Sequence, residues 1–212
     1  MGHASDPHFV VLHALKIKGF AESDILTDLT GFDLPTVTSH LDRARDAGLA
    51  LRREGRICGW ALTPDGRSRH GELLEADLVA AGEAVQGALS EIYQPFSELN
   101  GRFKVVCTDW QLRTAGGEHV PNDHLDEDYD RAVIAALGAI NEAVQPLCDQ
   151  MAASLLRLKP YAGRLTAAHL RLTGGDRDAF TRPLSNSYHD VWMELHEDLI
   201  ATLKLARTAA DA

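Results

Sequence analysis

The chain has 212 residues, 45% of them hydrophobic and only 6% aromatic, with a formal net charge of -10 at pH 7. That content suffices for a substantial core in one or two domains, while no apolar run reaches the span of a bilayer. The N-terminal Met1-Gly2-His3-Ala4-Ser5-Asp6-Pro7 lacks the basic and apolar regions of a signal peptide, so a cytoplasmic protein with no membrane partner is expected.

In chain order, Phe9, Val10, Leu12, Leu15 and Ile17 predict a buried first helix ended by Gly19. A second helix, opened by Glu22 or Ser23, runs over residues 24–30 and stops at Gly31, with Phe32-Asp33 as a turn. From Leu34 a third helix places Val37, Leu41 and Ala44 on one face and Pro35, Thr36, Ser39, Asp42 and Arg43 on the other. Such a helix is anchored on one side and offers short polar groups on the other. Gly48 suits the left-handed position that closes a helix, and Leu49 the apolar contact beyond it. Residues 49–53 and 56–62 read as two short strands meeting at Glu54-Gly55, with Arg52, Arg53 and Arg56 at the tip. Thr63 and Pro64 then supply an N-cap hydroxyl and a proline at the first helical position.

The order helix, helix, turn, helix, hairpin resembles the winged helix-turn-helix regulators of bacteria, and among them the MarR-like ones most closely. The resemblance rests on Leu34-x-x-Thr-Val-Thr-x-x-Leu41, on Ala47-Gly48-Leu49 and on Trp60-x-Leu-Thr-Pro-x-Gly-Arg67, and covers about residues 8–75. It implies sequence-specific binding of double-stranded DNA by a two-fold homodimer, with the third helix in the major groove and the hairpin as a wing beside the phosphates. Carried over residue by residue, Thr36, Thr38, Ser39, His40 and Arg43 match the groove-facing positions, and Arg52, Arg53 and Arg56 the wing. Asp42 and Asp46 depart from this pattern, because carboxylates on the outward face repel phosphate unless one accepts from a cytosine amine.

Charge is unevenly distributed. Residues 1–72 hold nine Lys/Arg against ten Asp/Glu, and residues 73–212 hold twelve against twenty-one. Within residues 43–69 seven arginines face three acids, a local basic footprint on a nearly neutral unit. The pattern fits a DNA-binding regulator and also a winged helix that binds protein.

Beyond residue 72 the pattern is helical, and a dimerisation and effector-binding helical bundle over residues 73–212 is expected, the fold class being mainly α. Apolar residues from Leu74 to Leu99 predict a long helix leaving the wing, bent or stopped at Pro95, with a break at Asn100-Gly101. Residues 103–110 read as a short strand or a buried helical turn, and residues 114–128, with Gly116-Gly117 and Pro121, as a loop. Helices follow over residues 129–158, interrupted near Pro146, and 160–172; a last one starts near Pro183 or Ser187 and runs to residue 207.

For chemistry, His189, Trp192 and His196 share one side of that last helix. Two imidazoles two turns apart stand ~10 Å from each other, too far for one metal ion without outside ligands. His119, Asp123, His124, Asp126 and Asp130 of the loop are the available ones, but they follow no known ligand spacing, and neither a metal nor another cofactor is expected. Cys58, Cys107 and Cys148 are too scattered for a disulfide framework or a thiolate zinc site. No phosphate-cradling glycine loop, nucleophile elbow or paired-carboxylate signature is present, so an enzyme is not expected; a metal-dependent one using the His/Asp cluster is the weakest alternative. A small-molecule effector site between helices is favoured, with Trp110, Arg113, Tyr129, Tyr161, Arg164, Tyr188, His189, Trp192 and His196 as lining candidates, against the reading of the large aromatics as core.

Overall fold

A computed structural model describes residues 2–55, 58–115 and 117–206. It is mainly helical, with two small antiparallel hairpins. Helices α1 (Pro7–Lys18), α2 (Ser23–Thr30) and α3 (Leu34–Asp46) precede the hairpin β1 (Ala50–Arg53) and β2 (Gly59–Leu62). The starts and stops follow from the local chemistry. Asp6 accepts from the backbone N–H groups of His8 and Phe9 to cap α1, and Gly19 and Gly31, both at positive φ, end α1 and α2.

Helix α4 (Pro64–Ala81) begins at the expected cap, the Thr63 hydroxyl accepting from Gly66 N–H at 3.0 Å. The next elements differ from the sequence reading. The helix expected to run through to Leu99 breaks instead at Gly82, whose φ of 85° only glycine adopts without strain. Helix α5 (Glu83–Gln111) then continues through Pro95, through the predicted break at Asn100-Gly101 and through residues 103–110. Pro95 is exposed, and Asn100 is tolerated in the interior because its Oδ1 accepts from the Trp192 indole N–H at 2.9 Å. The hairpin β3 (Leu112–Ala115) and β4 (Glu118–Pro121) takes up the first part of the predicted loop and begins two residues before it. Helix α6 (Glu127–Ser154) passes through Pro146 without interruption, and after a single 3-10 turn at Leu156–Leu158 come α7 (Pro160–Thr173), the unpredicted short α8 (Asp178–Thr181) and α9 (Tyr188–Leu203). Among the described residues no helix is long and apolar enough to cross a membrane.

Two cores organise these elements. Leu12, Leu15, Leu26, Val37, Leu41 and Trp60 lie in the first, and Phe96, Phe103, Leu137, Met151, Leu165, Phe180 and Trp192 in the second. Phe9, Leu74 and Leu78 form a small cluster of their own, with Ala201 of α9 packed against it. Helix α1 is buried along most of its length because α3 and α4 cover it on some sides and α9 on another.

The join between the cores is polar. Arg157, in the 3-10 turn, donates to the Asp198 carboxylate and the Thr202 hydroxyl of α9. The His13 ring of α1 reaches the same carboxylate at 3.1 Å, its Nδ1 lies 2.9 Å from Nε2 of His70 in α4, and the Tyr161 hydroxyl donates to the other Asp198 oxygen at 3.2 Å. All six side chains are nearly inaccessible. Burial alone would raise the Asp198 carboxyl, but Arg157 and His13 outweigh it and hold it well below the usual carboxylate range. A second buried ion cluster lies beside it: Glu194 of α9 takes Lys18 of α1 and Arg164 of α7, each at 2.6 Å.

Removing one partner of such a pair leaves a stranded charge, so Arg157→Ala costs about 3–5 kcal/mol in denaturant unfolding. The pH dependence follows from the histidines. Burial lowers both imidazoles, with repulsion from Arg157 adding to it at His13 and repulsion between the two rings and from Lys16 adding to it at His70, which falls to about 3. Below the ordinary value of 6.5 the unfolded chain therefore binds more protons than the folded one. The expected outcome is a melting temperature that falls from about pH 7 to about pH 5, less steeply in His70→Gln; a flat profile in the parent protein contradicts it.

A candidate nucleic-acid interface on helix α3 and the first hairpin

Helix α3 is set by its ends and its buried stripe. Asp33 caps it by accepting from Thr36 N–H at 2.9 Å, Pro35 occupies the first turn, and Val37, Leu41 and Ala44 are completely buried. At the other end Gly48 N–H donates to Arg45 O at 2.9 Å and Leu49 N–H to Ala44 O at 2.8 Å, the paired bonds of a left-handed helix stop with Gly48 at φ 74°. Because one stripe is locked inward, Thr36, Thr38, Ser39, His40 and Arg43 are all left partly or fully exposed. Leu34, Pro35, Thr38, Ser39, Asp42, Arg43 and Asp46 line a broad, open concavity along the helix.

The electrostatics of this face hinge on Arg45, a residue outside the sequence-predicted site. Its guanidinium lies 2.8 Å from Asp42 and 3.1 Å from Asp46, so both outward carboxylates are engaged by one cation. Arg43, exposed, has no ion-pair partner among the described residues. The signal was present in the spacing, since Arg45 is three residues from Asp42 and adjacent to Asp46. On the side of the helix away from Asp42, the ring of His40 lies 5.5 Å from that of His8 at the start of α1. Burial, then the charges of Arg43 and His40, lower the His8 imidazole.

The hairpin pairs Ala50 with Leu62, Arg52 with Trp60 and Arg53 with Gly59. Its inner strand is held from behind: Trp60 exchanges two backbone hydrogen bonds with Ala21 and its indole N–H donates to Ser23 at 3.1 Å. Arg52 lies over the Trp60 ring with its guanidinium 6.0 Å from the centroid, and Leu51, Arg52 and Arg53 are exposed. Arg56 lies outside the described residues. The corner where the hairpin leaves α3 is tight: the Thr63 N–H and hydroxyl donate to Leu49 O, and the first turn of α4 sits directly on that carbonyl.

The effector-site candidates fall into separate packed regions. Trp192 stacks on Phe96 and Phe103 at 5.1 and 4.6 Å, Tyr188 packs on Phe103 and His189 half-buried beside it, and His196 reaches the Tyr93 hydroxyl at 3.2 Å. Trp110 packs on His124 and Phe180, while Arg113 lies 3.8 Å from both Asp123 and Asp126. Tyr161 and Arg164 belong to the buried polar join, and the Tyr129 hydroxyl donates to the carbonyls of Asp109 and Leu112.

Of the acidic-loop residues weighed as metal ligands, His124 and Asp130 form a pair at 3.0 Å and His119 is exposed on β4. Among the described residues no group of three His, Cys, Asp or Glu side chains is placed to hold a metal ion. The two less exposed thiols, Cys107 and Cys148, are raised to about 12 by burial, so neither is an activated nucleophile.

Comparisons with protein-family models, with curated proteins and with solved structures find no match for this chain.

The tight corner yields a test of what positions the hairpin. A Cβ on Gly66 would stand 1.8 Å from Leu49 O, a backbone atom that cannot swing away. Gly66→Ala is therefore expected to destabilise the fold by roughly 3 kcal/mol, read as a lowered urea midpoint, whereas Gly71→Ala, with open space around it, leaves the midpoint unchanged or raised.

Proposed function

We propose that this protein is a sequence-specific, double-stranded-DNA-binding transcriptional regulator that acts as a homodimer. In this reading residues 1–72 are a winged helix-turn-helix of MarR-like type, with α3 as the recognition helix and the first hairpin as the wing, and residues 73–212 are the dimerisation and effector-binding part. The observation that carries it is the outer face of α3: the two acids that argue against DNA are tied to Arg45, and Arg43 stands exposed, with no ion-pair partner among the described residues, beside Thr36, Thr38, Ser39 and His40. Arg43 suits a bidentate contact to guanine, the hydroxyls suit phosphates or base edges, and exposed Arg52 and Arg53 on a narrow ribbon suit the backbone or the minor groove. The excess acid in residues 73–212 opposes the spread of non-specific binding over the rest of the surface. A small-molecule effector acts only by favouring one of two arrangements with different DNA affinity, and the polar join of α1 with α9 is where such arrangements would differ.

A second reading, a winged helix that docks on a protein, is favoured by Leu34 at the start of α3 and Leu51 on β1, which are 49% and 38% exposed. Salt separates the two, because phosphate neutralisation makes duplex affinity fall steeply with ionic strength.

Selection from a random duplex pool is expected to enrich an inverted repeat, and the Arg52→Ala/Arg53→Ala variant to lose binding to all duplexes. No enrichment by folded protein moves the conclusion to the protein-docking reading. The role of Arg45 is checked by a double-mutant cycle. Arg45→Ala alone weakens duplex binding about tenfold because it releases Asp42 and Asp46, and costs far less in an Asp42→Asn/Asp46→Asn background. Equal losses in both backgrounds assign Arg45 a direct phosphate contact instead.

A further inference from the structure

The two edges of α3 are electrostatically different. Along one run Thr38, Asp42 and Asp46, with Arg45 bound between the two acids. Along the other run Thr36, His40 and Arg43, one helical face by their spacing, and beside them stands His8 of α1, its ring 5.5 Å from that of His40. This second edge carries one fixed cation and two imidazoles. His8 Nδ1 is buried and has no hydrogen-bond partner among the described residues. The groups facing His8 are Arg43 and His40 of α3, Asp6 of the preceding turn and Arg69 of α4. Asp6 is occupied in capping α1 through the N–H groups of His8 and Phe9, and Arg69 is paired with Glu72 at 2.7 Å.

We infer that His8, His40 and Arg43 form a phosphate-contacting edge of the duplex interface, extending it from α3 onto α1, and that contact there takes up protons, so that duplex affinity rises as pH falls. The inference rests on the DNA-binding reading above and adds to it a residue outside the helix-turn-helix and a means of regulation.

In the free protein a proton on His8 is disfavoured by burial and by repulsion from Arg43 and His40. A phosphodiester brought to Arg43 is an acceptor for an imidazolium and reverses that repulsion, while its own charge is constant over the range in which histidine titrates. A protonated His8 is therefore bound more tightly than a neutral one, and by reciprocity the complex holds more protons than the free protein. Each histidine that gains a full proton on binding contributes up to about tenfold in affinity per pH unit.

The test is duplex binding by the full chain, read by fluorescence anisotropy on a mixed-sequence duplex of about 30 base pairs at fixed salt, near pH 6 and near pH 8. The parent protein is expected to bind about tenfold more tightly at the lower pH, and His8→Gln/His40→Gln to show less than about a threefold difference between the two, whatever its affinity at the higher pH. Far-UV circular dichroism of both proteins at both pH values confirms that folded chains are compared. If the parent binds with no dependence on pH, or the double variant keeps the full dependence, the proton-linked edge is overturned and the DNA-binding reading stands. If folded parent protein binds no duplex at either pH even at low salt, both fall together.

Discussion

The Asp198 carboxylate is the point on which the rest of the structure turns. It is almost inaccessible to solvent, and it is engaged by Arg157, His13, Tyr161 and Thr202, side chains drawn from α1, the 3-10 turn after α6, α7 and α9 itself. A buried charge of this kind is weak evidence for net stability, since a well-packed apolar set often does as well. What it imposes is position: only one rotation of α1 brings His13 to the carboxylate while Leu12 and Leu15 stay in the first core. Lys18, one turn or so further along α1, meets Glu194 one turn earlier on α9, so the two ion clusters act as two pegs along the same pair of helices.

This constraint reaches the candidate interface because α1 is also the platform on which α3 lies. Val37, Leu41 and Ala44 pack into the core that Leu12 and Leu15 help to build, and His8 extends the start of α1 to the basic edge of α3. The outward polar face of α3 is thus carried by a helix whose other side is held by α9. Any agent that altered the register of α1 against α9 would move His8 relative to His40 and Arg43, a physical route between the two parts of the chain.

Charge on α3 illustrates why a net figure is a poor guide. The chain as a whole is at -10, yet over a distance of about one Debye length, near 10 Å, what a phosphate meets is set by side chains within that reach. There Asp42 and Asp46 are bound to Arg45, and Arg43 is not bound to anything described. An ion pair three residues apart on a helix surface contributes little to stability, but it changes which charge is presented.

Local features were legible from residue types alone. Asp6-Pro7, Thr63-Pro64, Gly31 and Gly48 mark helix ends because caps, proline at a first turn and left-handed glycine depend on neighbours only a few residues away. The three helices and the hairpin of the first third follow from that, as does the inward stripe of α3 and so the candidate face. Predictions failed where a distant partner rescues a locally unfavourable residue. Asn100 continues α5 because Trp192, ninety-two positions away, satisfies it, and Pro95 and Pro146 sit on exposed helix surfaces that tolerate a missing bond. The aromatic and histidine pattern of α9 was visible, but whether it lined a space or filled one depended on Phe96 and Phe103 of α5. Residue types and their spacing were enough for the elements of the first third, the mainly helical class and the uneven distribution of charge. The meeting of Arg157, His13 and Asp198, and the place of His8 beside His40, emerged with the packed fold, because such contacts join segments whose separation along the chain leaves no local pattern to read.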